Sequence, residues 1–329
     1  MSLTEEQLRI RRGGVTGTDI CALLGSSPFS TPFDVWLEKL GKAEPKEDTP
    51  DTERGRFLED GGRRWYAHRT GAIRVEQPGT VVSRRHPLII ATPDGVAHHR
   101  DGVRVLEIKM PRRAHGWGEP GTDAVPPWYL PQALWQLAAL DMERADVFAV
   151  LEGEPCLYRV ARDVEVEGLL VETAERFWRD HVLTGKPPEV TAADLPSASR
   201  FFRRPDTEEY LDFAALQPEA RAVLEEYLRA YQEESAAAER LATWEARAKL
   251  LLGGAPGVRG LPEEMGYSRL DWRQNKARMR TDWKSVLAAL DDEDPAFATR
   301  IRALVQQHTT VVEGERPFVP RRLTKKRGR

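Results

Sequence analysis

The sequence predicts an α/β fold with a mainly helical C-terminal appendage. Three observations carry that expectation. Helical and strand-like runs alternate from the N-terminus to about residue 185. Val103-Arg104-Val105-Leu106-Glu107-Ile108-Lys109 reads as a strand, rich in β-branched and aliphatic residues. After a Pro-containing linker, Pro218 to Leu252 carries one long helical pattern.

Arg11-Arg12-Gly13-Gly14-Val15-Thr16-Gly17-Thr18-Asp19 leads into the apolar run Ile20 to Leu24, and Thr16 or Thr18 suits a helix N-cap there. The start of such a helix, with arginines beside it, can hold a phosphate; an ordinary capped helix has the same pattern. Phe33, Trp36, Leu37 and Leu40 recur at helical spacing before Gly41, and the charged segment from Ala43 to Asp51 reads as a loop. Thr52 to Arg69 is helical, with Glu59 in its middle. Thr80-Val81-Val82 and Leu88-Ile89-Ile90 are short strands, and Pro93-Asp94-Gly95 is a turn.

Alternation puts Glu107 and Lys109 on one strand face, ~7 Å apart along the chain. If the turn pairs with that strand, Asp94 comes close to Glu107. Two acids and a lysine can hold a hard cation and handle a water beside it. The same residues also suit a plain β-hairpin with a surface salt bridge.

Pro111 to Pro127 is a long basic loop with Arg112, Arg113, His115 and Trp117. Trp128 to Leu140 is a strong helix with Tyr129, Gln132 and Gln136 on one face, either a packed polar pair or a site lining. Ala145–Leu151 and Cys156–Val160 read as paired strands, and Val164 to Leu183 as an amphipathic helix. The expected division is a core over 1–188, a linker over 189–205 and a helical region over 206–329. In that last region Leu224, Tyr227, Tyr231, Ala238, Leu241, Ala248 and Leu252 form a heptad-like seam. A short helix from Thr281 and a basic tail from Arg321 to Arg329 follow.

The 329 residues are 40% hydrophobic and 31% charged, as in a globular protein with a generous polar surface. No apolar run reaches the roughly 20 residues of a membrane span. Cys21 and Cys156 are the only cysteines, which excludes a Cys-rich metal or iron–sulfur site. A reducing, cytoplasmic setting is expected. A net charge of −3 means that any contact with DNA must use local patches.

Taken together, the Arg-x-Gly-Gly-Val-Thr-Gly-Thr-Asp run, the mid-helix Glu59, Thr92-Pro93-Asp94-Gly95, Glu107-Ile108-Lys109-Met110-Pro111 and Tyr129-Leu130-Pro131-Gln132 resemble, in order and spacing, the YqaJ-type viral recombinases. These are relatives of phage lambda exonuclease within the PD-(D/E)XK nucleases. The resemblance covers residue 8 to about 185. It implies a restriction-endonuclease-like core, a central mixed sheet flanked by helices. It also implies an Mg²⁺-dependent 5′→3′ exonuclease, with Mn²⁺ as substitute, acting on double-stranded DNA ends and leaving 3′ overhangs. An endonuclease or single-strand nuclease on the same fold, and a DNA-binding scaffold with a decayed site, are the alternatives.

Residue by residue, Asp94, Glu107 and the Ile108 carbonyl resemble metal ligands, Glu59 the helix-borne acid that completes them, and Lys109 the catalytic lysine. Gln132 matches the glutamine at the site edge. Arg11 and Thr18 resemble the pair that meets a 5′ phosphate, and Thr92 stands where that branch places a serine. Arg112, Arg113 and Tyr129 are further candidates for DNA contact. The resemblance implies a homo-oligomer, a ring trimer first, and a single-strand annealing protein as partner. The long helix and the basic tail match nothing that it carries.

Overall fold

The computed structural model describes residues 4–43, 49–203, 207, 209–267, 269–271, 282, 285, 288, 289 and 294–307. The short helix expected from Thr281 is largely, and the basic tail wholly, outside the described residues. The chain divides into two compact units, Met1–Arg203 and Arg204–Arg329.

In the first unit, α1 (Glu5–Arg12), α2 (Gly17–Leu23), α3 (Pro32–Lys39) and α4 (Pro50–Thr70) precede the strands. Each of the four has a threonine N-cap closed by a reciprocal capping box: Thr4, Thr16, Thr31 and Thr49. The first of these helices has no buried residue and was not expected from apolar periodicity; Thr4-x-x-Gln7 is its signature. The cap Thr49, with Pro50 behind it, starts α4 inside the segment expected as a loop.

A five-stranded sheet follows, in the order β1 (Arg74–Glu76), β4 (Gly95–His99), β5 (Gly102–Lys109), β6 (Arg144–Leu151), β7 (Glu154–Ala161). The pair β5–β6 is parallel and the others antiparallel, so the sheet is mixed. A helix, α5 (Leu130–Leu140), makes the crossover between the parallel strands. Strands β2 (Val81–Val82) and β3 (Ile90–Ala91) form a separate ribbon. The strand β4 was not expected, since Val96-Ala97-His98-His99 carries no aliphatic alternation.

The two faces of the sheet bury different layers. Val105, Val147 and Ala149 meet α2, α5 and α6 (Val164–Phe177) through Ile20, Ala133, Trp135, Leu137 and Leu170. Leu106, Ile108 and Phe148 meet α4 through Tyr66 and Trp65. The result is a mixed sheet between helical layers. A Cβ on Gly62 would lie 2.9 Å from Ile108 Cγ2, so the glycine lets α4 lie close over the end of β5.

Tyr66 Oη donates to the buried Asp146 Oδ2 at 2.6 Å and meets His99 Nε2 at 2.8 Å. This fixes the middle of α4 to β4 and β6. Residues 192–201, expected as part of a linker, instead form a 3₁₀ turn and α7 (Leu195–Phe201). Ser197 Oγ donates to Asp34 at 2.5 Å, and Ala198 and Phe201 pack on a satellite core of Phe33, Trp36 and Phe177.

The second unit contains the 35-residue α8 (Pro218–Leu252), the ribbon β8 (Gly257–Arg259) and β9 (Arg269–Asp271), and α9 (Pro295–Gln307). No residue of α8 is buried.

One close approach fixes the N-terminal segment. Val15 N donates to Leu88 O at 2.7 Å and Ile90 N to Val15 O at 3.0 Å, and a Cβ on Gly14 would sit 2.5 Å from that same Leu88 oxygen. Gly14→Ala should therefore destabilise the protein by about 1–3 kcal/mol. Thermal unfolding checks this, and an unchanged melting temperature would contradict it.

Candidate active site

Register brings the acids together. Gly95 pairs with Leu106, so Asp94, one residue before β4, lies opposite the end of β5. Its Oδ2 accepts from Ile108 N at 2.7 Å. Glu107 and Lys109 lie on the α5 face of β5. Glu107 is 4% exposed, and its buried carboxylate calls for a full set of partners. Its Oε1 accepts from Lys109 Nζ, and from Gln132 Nε2 at 2.6 Å; its Oε2 accepts from Gln136 Nε2 at 2.7 Å. Lys109 Nζ also donates to Gln132 Oε1 at 3.2 Å and lies 4.7 Å from the centre of the Tyr129 ring.

Thus Gln132 and Gln136, one turn apart on α5, both serve Glu107. Gln136 Oε1 is left buried without a partner among the described residues. A Cβ on Gly17 would sit 2.9 Å from Gln132 Cγ, so the first turn of α2 touches the same glutamine.

The charges are coupled. Burial, then repulsion from Glu107, pushes the Asp94 carboxyl well above the usual carboxylate range, against the pull of Lys109 and the Ile108 N–H. Burial alone would lower the Lys109 ammonium, but Glu107 and Asp94 outweigh it and hold its pKa above the ordinary lysine value. Burial also pushes the neighbouring Cys21 thiol up to about 12, so it stays an unreactive thiol.

Glu59 stands apart from this group. It is on α4, the layer that covers the opposite face of the sheet, and its carboxylate is paired with Arg63. Its negative charge still adds to the rise at Asp94. Among the described residues, no three His, Cys, Asp or Glu side chains gather to hold an ion. The donor set nonetheless suits a hard divalent cation: two carboxylates at one strand end, whose mutual repulsion such an ion would relieve.

The remaining candidates make contacts of their own outside this group. Thr18 is exposed, and its Oγ1 is 3.1 Å from that of Thr16, which is the N-cap. The Arg11 carbonyl accepts from Lys39 Nζ at 3.0 Å, and the same ammonium is 2.6 Å from Asp19 Oδ2. This buried Lys39–Asp19 pair ties the end of α1 to the start of α2. Sequence reasoning missed it, although Asp19 closes the capping box with Thr16. Thr92 Oγ1 is 3.0 Å from Thr80 Oγ1. Arg112 pairs with Asp51 at 2.6 Å, and Arg113 is exposed. Arg63 was also missed; its i,i+4 spacing from Glu59 was the available signal.

This geometry stands beside a family likeness. Residues 6–143 match the YqaJ-like viral recombinase domain. The uncharacterized protein YqaJ of Bacillus subtilis (strain 168) is 30% identical over 191 residues, which are 56% of this chain and 58% of that protein. The uncharacterized protein R354 of Acanthamoeba polyphaga mimivirus is 27% identical over 153 residues, 44% of this chain and 28% of that one. The match thus spans little more than half of the first relative and under a third of the second. Among solved structures, the alkaline exonuclease LHK-Exo from Laribacter hongkongensis aligns with a TM-score of 0.44 at 20% identity, over 54% of this chain and 92% of that one. No helix among the described residues is long and apolar enough to cross a membrane.

The raised Asp94 pKa has a consequence for stability. The folded state holds that proton more tightly than the unfolded chain does. Stability from this group is therefore greatest below 3.8 and falls as pH rises through the higher folded value. Asp94→Asn removes the repulsion. In the presence of a chelator near neutral pH, it should raise the melting temperature. The gain should shrink as pH falls. Thermal scans over a pH series check this, and a lowered melting temperature at neutral pH would contradict it.

Proposed function

We propose that this protein is a divalent-metal-dependent deoxyribonuclease. In this reading it digests linear duplex DNA from 5′ ends and leaves 3′ single strands for recombination by annealing. The observation that carries the reading is the Asp94–Glu107–Lys109 group at a strand end, Glu107 buried and the other two half-buried, within the segment that matches the viral-recombinase domain.

Asp94 and Glu107, with the Ile108 carbonyl, would hold Mg²⁺ or Mn²⁺, and Glu59 would join them directly or through water. The bound ion would lower the pKa of a water and neutralise charge on the phosphate. Lys109, held protonated by its two carboxylates, acts as a cation: it orients the attacking water and stabilises the charge that develops on the phosphate oxygens. Gln132 and Gln136 hold the Glu107 carboxylate in place. Tyr129 backs the ammonium and closes one side of the site.

Arg11, Thr18 and Thr92 are assigned to the 5′-terminal phosphate, and Arg112 and Arg113 to the strand beyond. A closed homo-oligomer, a trimer first, would keep one duplex threaded between cuts. A single-strand annealing protein is the natural partner for the product strand.

Two experiments test the reading. Lys109→Ala and Glu107→Gln should each lower Mg²⁺-dependent cleavage by about 10²–10⁴-fold or more, with duplex binding and the far-ultraviolet spectrum retained. Near-wild-type rates in either variant would remove these residues from the chemistry. Initial rates should also be higher on 5′-phosphorylated than on 5′-hydroxyl linear duplex, because a terminal phosphate carries more charge. Arg11→Ala should narrow that difference. Equal wild-type rates on the two ends would exclude a 5′-phosphate pocket.

A further inference from the structure

Arg63 is the one cation on α4 that reaches the Asp94 turn among the contacts described. Its side chain is only 12% exposed. Its guanidinium pairs with Glu59, lies 3.6 Å from Asp60 Oδ1, and donates to the Asp94 carbonyl at 3.2 Å. With the Gln77 amide turned so that its oxygen faces the guanidinium, Gln77 accepts from Arg63 at 2.9 and 3.0 Å. One side chain thus ties α4 to the turn that carries Asp94 and to the segment after β1.

The arrangement is asymmetric. Among the described residues Glu59 pairs with Arg63, whereas Arg63 has further acceptors in the Asp94 carbonyl, Asp60 and Gln77. If Glu59 swings away, the guanidinium keeps partners and is not stranded in a half-buried position. A divalent ion beside Asp94 offers Glu59 a stronger cation than Arg63 does. We propose that Arg63 is a resident cation that a divalent ion must displace from Glu59, and that it thereby sets how tightly the ion is held. Arg63 is a positioning residue: it parks Glu59 on α4 until the ion arrives, and it holds the Asp94 turn throughout. The proposal rests on the reading of Asp94 and Glu107 as a metal site.

The test is Mn²⁺ binding to the full chain without DNA, followed by electron paramagnetic resonance and by calorimetry. The proteins are wild type, Arg63→Gln, Glu59→Gln, the double variant and Glu107→Gln. Arg63→Gln should bind Mn²⁺ roughly tenfold more tightly, the scale of one charge-assisted hydrogen bond no longer broken. In the Glu59→Gln background the Arg63 substitution should lose most of that effect. Equal or weaker binding by Arg63→Gln would overturn the proposal. So would an undiminished gain in the double variant, which would mark a long-range charge effect without competition for Glu59. If Arg63→Gln does not fold, Arg63→Met takes its place, since it keeps the length of the stem but not the charge. It too should bind more tightly than wild type, and equal binding would overturn the proposal. A wild type that binds no Mn²⁺, or Glu107→Gln with unchanged binding, would defeat the metal-site reading and this proposal with it. A failure confined to Arg63 would leave the metal-site reading standing.

Discussion

A buried carboxylate, on a residue 4% exposed at the end of a strand, is the constraint on which the site depends. Glu107 would be costly there without partners, because an unpaired buried charge destabilises a fold by several kcal/mol. Three donors answer it: Lys109 from its own strand, and Gln132 and Gln136 from α5. That requirement fixes the rotation of α5 about its axis and its height over β5. It also draws in the first turn of α2, which touches Gln132 through Gly17. An interior designed for stability alone would place an aliphatic residue at 107, as it does at Val105 on the same face.

The second acid makes the site expensive and gives it its chemical character. Asp94 enters from the start of β4 and meets Ile108 N, close enough to Glu107 for mutual repulsion to raise its pKa. Lys109 offsets only part of that. Charge left uncompensated in this way is suited to a cation, and such trade-offs between stability and function are common at functional sites. The helix α4, held by Tyr66 to Asp146 and by Arg63 to the Asp94 turn, keeps a third acid, Glu59, apart from this group but close enough for its charge to add to the rise at Asp94.

Much of this was legible in the sequence because it rests on local rules. The alternation of Val103 to Lys109 put Glu107 and Lys109 on one face, and they are hydrogen-bonded there. Gln132 and Gln136 share a helix face by their spacing, and a sequence alone leaves open whether they face a site or a neighbour; their common partner Glu107 comes from the tertiary packing. The order of helices and strands was sufficient for an α/β layering, and the mixed sheet followed from the family resemblance. Other features depend on tertiary packing and left little local trace. The strand β4 is built on Gly95, Ala97 and two histidines, and becomes a strand because β1 and β5 flank it. Buried Lys39 reads as an ordinary helix lysine until Asp19 is brought to it from another helix. Glu59 has the spacing of a solvent-facing helix glutamate, and the layer it belongs to cannot be told from its neighbours in sequence. The helix α7 lies in a stretch rich in Pro, Ser and Ala, and its docking on α3 comes from Ser197 and Asp34, distant in sequence.

The central claim is the proposal that the Asp94–Glu107–Lys109 group hydrolyses DNA from its ends with a divalent ion. Digestion of end-labelled linear and closed circular duplexes of the same sequence, with Mg²⁺ and with a chelator, tests it most directly. The account expects loss of linear duplex in Mg²⁺, no loss of the circle, and no activity with the chelator. Cleavage of the circle at a rate similar to that of the linear form, or digestion that persists in the chelator, would contradict it.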